Sequence, residues 1–145
     1  MKVLIAIDED SCKNAIVKFV CEREWPARTE FLILHIVHPK TNPLSDDIFM
    51  DDQRAAARLV RRVGLALRDA YHTPYIEEKV VTGSPKEKIE EVAREWGADL
   101  TVVGSQGKFA DYLFGSVAES TITNSNCSVL VIKPQSSTSQ IHNKA

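Results

Sequence analysis

The chain has 145 residues, 43% of them hydrophobic, which is the length and apolar content of one ordinary domain with a single core. Eighteen basic residues stand against 20 acidic ones, and a net charge of -2 lacks the basic surplus of a nucleic-acid footprint. No stretch approaches the roughly 20 apolar residues of a membrane span.

Val3 to Ile7 is a short, nearly continuous apolar run, as expected of a strand covered on both faces. It lacks the full apolar run and small-residue cleavage site of a signal peptide, so the expected compartment is the cytoplasm. Asp8-Glu9-Asp10-Ser11 is rich in helix-starting residues, and Ala15, Ile16, Phe19 and Val20 then recur at helical spacing up to Trp25-Pro26. Phe31 to Val37 reads as a second buried strand. A long helix follows from about Ile48 to Tyr71, with Ala55, Ala56, Leu59, Val60, Val63 and Leu67 as its apolar face. Arg54, Arg58, Arg61, Arg62 and Arg68 fill much of the remainder, and a solvated charged face is the expected reading of that set.

Tyr75 to Thr82 gives a third strand. Ser84-Pro85 with Glu87 then reads as a capping box with proline at the first helical position. Ile89, Val92, Ala93 and Trp96 share one face of that helix, and Gly97 is placed to stop it. Leu100 to Val103 is a fourth strand running into Gly104. Ser116 with Glu119 reads as a second capping box, opening a helix to about Ser125. Val129 to Ile132 is a fifth strand, last in the chain and therefore expected at a sheet edge. Residues 135–145 are polar, without a core-forming pattern, and read as a flexible tail after a domain of residues 1–134.

Strands alternating with helices predict an open doubly wound, Rossmann-like α/β fold: five parallel strands with helices on both faces. Ligands of such sheets bind outside the carboxyl ends of the strands, near the switch in strand order. Asp8, the Ile36-Val37 pair, Gly83 and Gly104 all fall at those ends. The segment from Gly104 through Gly107 and Lys108 to Gly115 and Ser116 is a glycine-bearing loop that opens a helix. Glycine lets backbone N–H groups approach phosphate oxygens, and a helix N-terminus offers free N–H groups and a positive dipole end. The spacing is not that of a Walker A loop.

Cys12, Cys21 and Cys127 form no CxxC pair and read as free buried thiols, and His35 and His38 point to opposite faces of one strand, so no metal site is expected. No residue set near the loop resembles a base and nucleophile pair, so no catalytic residue is assigned. Only Asp8 and Asp111 offer carboxylates there for Mg2+.

The run Val102-Val103-Gly104-Ser105-Gln106-Gly107-Lys108, then Gly115-Ser116-Val117-Ala118-Glu119, then Cys127-Ser128-Val129-Leu130-Val131-Ile132 resembles the C-terminal signature of the universal stress protein family. Val3 to Asp8 with Ser11, Leu34-His35-Ile36, Gly83-Ser84-Pro85 and Gly97-Ala98-Asp99-Leu100 match further motifs in the same order, so the likeness covers about residues 1–134.

The resemblance implies an adenine-nucleotide-binding protein (ATP, ADP or AMP, with or without Mg2+) of regulatory role, a non-enzyme with at most slow ATP hydrolysis. It implies that Asp8 and the Ile36 backbone hold the adenine with Ala6 nearby, that Val103 and Gly104 line the ribose side, and that Gly107, Lys108, Gly115, Ser116 and Val117 take the ribose and phosphates. A helix cap is the plain alternative for Asp8. It also implies a homodimer through Val129, Leu130, Val131 and Ile132. One departure stands out: seven residues separate Gly107 from Gly115, where nucleotide-binding members carry nine. The alternative reading is a nucleotide-independent dimeric interaction protein of the same fold.

Overall fold

The computed structural model describes residues 1–9, 11–39, 46–71, 75–106 and 115–134. Five strands, β1 (Lys2–Ala6), β2 (Glu30–Val37), β3 (Ile76–Thr82), β4 (Leu100–Gly104) and β5 (Ser128–Ile132), alternate with four helices, α1 (Lys13–Cys21), α2 (Asp46–Tyr71), α3 (Pro85–Trp96) and α4 (Ser116–Asn124). All strand pairs are parallel, in the order β3-β2-β1-β4-β5. This is the α/β architecture that the sequence predicts, with β5 at an edge.

The period-two alternation of strand side chains splits the core into two layers. Val3, Ile5, Phe31, Ile33 and Val102 pack against α1 and α2 through Ile16, Val20, Leu59, Val63 and Leu67. Leu4, Leu32, Leu34 and Val103 pack against α3 and α4 through Ile89, Val92 and Ala118. The central strands thus bury both faces, which is why their sequences are largely apolar, broken by His35 in β2 and the buried Thr101 in β4. Each fully buried Leu or Ile contributes about 1.5–3 kcal/mol of transfer free energy.

Several boundaries differ from the sequence reading. Neither Asp8 nor Ser11 is the N-cap: α1 begins at Lys13 with Cys12 at the N-cap and no side-chain cap bond among the described residues. The same helix ends at Cys21, short of Trp25, because the indole folds back and donates from Nε1 to the Val20 carbonyl at 3.0 Å. The single hydroxyl proton of Tyr71 has two acceptors in reach, the same Val20 carbonyl and that of Arg23 at 2.7 Å. Neither capping box forms. Ser84 is the N-cap of α3, with Pro85 following, but its hydroxyl makes no cap bond, and at α4 the N-cap is Gly115, which leaves Ser116 inside the helix. Gly97 does close α3, in the left-handed region at φ 78°, its N–H bonded to the Ala93 carbonyl. Ala55 is exposed, whereas the rest of the α2 stripe is buried. None of the three cysteines is in a disulfide, yet only Cys12 is fully buried.

The two sheet edges differ in chemistry. β3 exposes Glu77 and Lys79, charges that blunt an edge. β5 reads Ser-Val-Leu-Val-Ile, carries no charge, and leaves its four apolar residues half-buried.

Candidate functional site

The chain leaves β1 toward β2 on one side, while β4 lies on the other, so the switch in strand order falls between β1 and β4. Ile7 extends the ladder past β1 by donating to the Leu34 carbonyl at 2.9 Å. Its own carbonyl lies 2.8 Å from His35 Nδ1. A carbonyl only accepts, so Nδ1 carries the proton there. Asp8 follows, half-exposed, with Oδ1 accepting from the Glu9 N–H at 2.8 Å and standing 3.9 Å from His35 Nδ1. Asp8 is therefore not a helix cap.

Across the switch point, Gly104 ends β4 against Cys12. A Cβ on residue 104 would stand 2.6 Å from the Cys12 Cβ and 2.9 Å from its Sγ, so the close approach of α1 to β4 requires glycine. Ser105 donates its N–H to the Ile132 carbonyl at 2.8 Å, and the Gly115 N–H donates to the Ser105 carbonyl at 2.5 Å. These two bonds bring the start of α4 back to the end of β4. Ser105 Oγ is buried without a hydrogen-bond partner among the described residues.

Gly115 is extended (φ -73°, ψ 153°), and no side chain caps α4. The first turn of a helix has N–H groups without intrahelical carbonyl partners, so Ser116, Val117 and Ala118 present donors there. With the helix dipole they favour an anion.

A small crevice of about 100 Å3 results, below the ~300–1,000 Å3 usual for small-molecule sites. Its walls are mainly apolar: Ile7, Leu34, Ile36, Ile89, Val103, Val117 and Ala118, with Asp8, His35 and Gln106 supplying polar atoms. Of the residues singled out from sequence, Ala6, Asp8, Ile36, Val103, Gly104, Gly115 and Val117 line it together. Ser116 sits beside it, exposed on the first turn of α4. Gly107, Lys108 and Asp111 lie outside the described residues. His35, Gln106 and Pro85 line the crevice as well, and sequence reasoning missed them. The adjacency of His35 to Ile36 at a strand end was the available signal. Among the described residues no group of three His, Cys, Asp or Glu side chains is placed to hold a metal ion.

The family model described as the universal stress protein family matches residues 1–133. A universal stress protein of Methanocaldococcus jannaschii is 39% identical over 64 residues, 43% of this chain and 40% of that protein. Another from the same organism is 34% identical over 92 residues, 62% of this chain and 51% of that protein. These matches thus span about half or less of the relatives' own length.

Among solved structures, an M. jannaschii protein superposes with TM-score 0.81 at 25% identity, covering 94% of this chain and 97% of its own. An Arabidopsis thaliana family protein with AMP bound gives TM-score 0.72 at 22% identity, covering 94% and 93%. An Archaeoglobus fulgidus universal stress protein in complex with dAMP gives 0.65 at 21%, covering 92% and 98%.

Proposed function

The chain belongs to the universal stress protein family, and from that premise we propose that it binds an adenine nucleotide in the crevice, as a regulatory protein of the stress response in the cytoplasm that does not turn a substrate over. One observation carries the reading: the crevice at the switch point joins an acceptor-only carboxylate, Asp8, to the uncapped N-terminus of α4. Those are the two chemistries that a nucleotide needs at its opposite ends.

The exocyclic amino group of adenine finds an acceptor in Asp8, and the Ile36 backbone completes the contact with the base, beside Ala6. Val103 and Gly104 flank the ribose. The N–H groups of Ser116 and Val117, with the Ser116 hydroxyl, take the phosphates, and Gly115 keeps that approach free of a side chain. The resemblance assigns Gly107 and Lys108, which lie outside the described residues, to the phosphates as well. Support for the choice of ligand comes from the relatives solved with AMP and with dAMP. ATP, ADP and AMP are all candidate ligands, with or without Mg2+.

The protein works as a homodimer whose β5 edges meet about a two-fold axis, the same patch on each chain. The uncharged outer edge of β5 supports this, in contrast to the charged edge of β3.

The test is mass spectrometry of small molecules released on denaturing the purified protein, followed by calorimetry with AMP, ADP and ATP. A bound adenine nucleotide is expected, and Gly115→Val should weaken binding at least tenfold, about 1.4 kcal/mol. If no nucleotide is released and none of the three gives heat, the reading fails in favour of a nucleotide-independent interaction protein. Sustained phosphate release from ATP with Mg2+ would overturn the non-enzymatic part alone.

A further inference from the structure

On the opposite face of the sheet from α3 and α4, α1 and the middle of α2 are locally basic. α1 carries Lys13 and Lys18 and no acid. Residues 53–68 of α2 carry Arg54, Arg58, Arg61, Arg62 and Arg68 between Asp51-Asp52 and Asp69, and of these Arg54 pairs with Asp51 and Arg68 with Glu78. Between the two helices runs an open groove of about 370 Å3, with half-buried Val17 over the buried core residues Leu59 and Val63, and rimmed by Lys13, Lys18 and Arg62.

The groove already holds one carboxylate of the chain itself. Glu9 Oε1 accepts from Lys13 Nζ at 2.7 Å and lies 3.5 Å from Arg62 Nη2. The Lys13 hydrogen bond, aided by the Lys13 and Arg62 charges, holds the Glu9 carboxyl below its ordinary range. Further cations lack such a partner: among the described residues Lys18, Arg58 and Arg61 make no ion pair. Arg58 lies one helical turn before Arg62 and so on the same side of α2.

We propose that this groove docks an acidic amphipathic helix of a partner protein, its carboxylates extending the row that Glu9 begins and its apolar stripe covering Val17. The cations supply charge complementarity, which sets partner choice and association rate. Half-buried Val17 between the cations, together with a net charge of -2, favours such a helix over a nucleic-acid backbone. Helix-in-groove recognition uses this combination of an apolar seam and a charged rim. The proposal is independent of what occupies the crevice.

The probe is a short synthetic helix with a leucine stripe flanked by glutamates, compared with a counterpart carrying lysine in place of each glutamate. Fluorescence anisotropy gives the affinity, and amide chemical shifts locate the contact. The glutamate peptide should shift amides of residues 13–18 and 58–66 and bind more weakly as salt is raised. Lys18→Glu combined with Arg58→Glu should weaken it about tenfold or more, while Lys86→Glu on α3 should leave it within about twofold. Circular dichroism checks that the double variant is folded. Equal binding by that variant, equal binding of the lysine peptide, or no binding at all overturns the proposal. So does tighter use of the groove by duplex DNA or by phosphatidylglycerol vesicles.

Discussion

Gly104→Ala is the substitution with the most direct structural consequence. Its new Cβ meets the Cys12 Cβ at 2.6 Å and the Sγ at 2.9 Å. Neither partner has an easy retreat. Cys12 is fully buried at the start of α1, and Gly104 is paired to Ile132 in the ladder between β4 and β5. Overpacking of this kind costs about 1–3 kcal/mol. For a chain of this size that lowers the melting temperature by roughly 2–4 °C per kcal/mol.

The contact is specific enough to be tested by its relief. Cys12→Ala removes the sulfur but keeps the 2.6 Å encounter of the two Cβ atoms, so Gly104→Ala should cost nearly as much on that background. Cys12→Gly removes both contacts, and glycine is tolerated at an N-cap. On that background Gly104→Ala should cost at least about 1 kcal/mol less, a coupling that a double-mutant cycle resolves. Urea titrations followed by circular dichroism supply the free energies. The reasoning is refuted if Gly104→Ala is as stable as the parent, or if Cys12→Ala relieves the cost as fully as Cys12→Gly.

Gly64→Ala should behave differently. The added Cβ would overlap Glu78 Oε1, the end of a side chain that can move away, although it then loses its 2.7 Å contact with Arg68. That pair is partly exposed and worth about 1 kcal/mol or less, and alanine regains about 1 kcal/mol of helix propensity, so thermal unfolding should change by no more than a degree or two. In the crevice, a loop two residues short of the nucleotide-binding pattern offers fewer N–H groups to a triphosphate. Calorimetry should then show ATP favoured over AMP by less than about 1.4 kcal/mol, and a hundredfold preference would contradict this. At the β5 edge, Leu130→Asp or Val131→Asp places an unpaired charge in the proposed dimer contact, at a cost of several kcal/mol. Sedimentation should find the parent dimeric at tens of micromolar and at least one variant monomeric or insoluble; two dimeric variants would sink the interface.

The central strands were legible because burial on both faces leaves few polar positions to blur the pattern. Val3 to Ile5 and Phe31 to Leu34 could hardly be anything other than central strands. The α2 stripe was legible for the same reason, except at Ala55. That residue lies about 100° from the centre of the stripe defined by Ala56, Leu59, Val60, Val63 and Leu67, and a small apolar residue on such a flank gives no signal of its exposure.

Helix starts were harder to read. Ser and Glu three apart match a capping box wherever they occur, but at α4 the Gly115 N–H is drawn to the Ser105 carbonyl, which fixes Gly115 as the N-cap. That bond joins segments from different elements and leaves no local trace. The crevice divides in the same way. Asp8, Gly104 and Gly115 carried a local signature of strand end or turn, whereas His35 reaches the site through a bond to the Ile7 carbonyl, 28 residues away.

Trp25 and Trp96 are the chain's two tryptophans, and both lie at the amino-terminal ends of the strands, away from the crevice. Trp25 packs edge-on against Phe31, its centroid 5.6 Å away, with its N–H already engaged by the Val20 carbonyl. Trp96 lies under the Lys2 ammonium, 5.2 Å from its ring centroid. Tryptophan emission from this protein therefore records the loss of its fold and is blind to a ligand entering at the carboxyl ends. An optical titration of the crevice has to draw its signal from the ligand, as with a nucleotide bearing its own fluorophore, and the native indoles then serve as an internal control that the scaffold stays intact throughout.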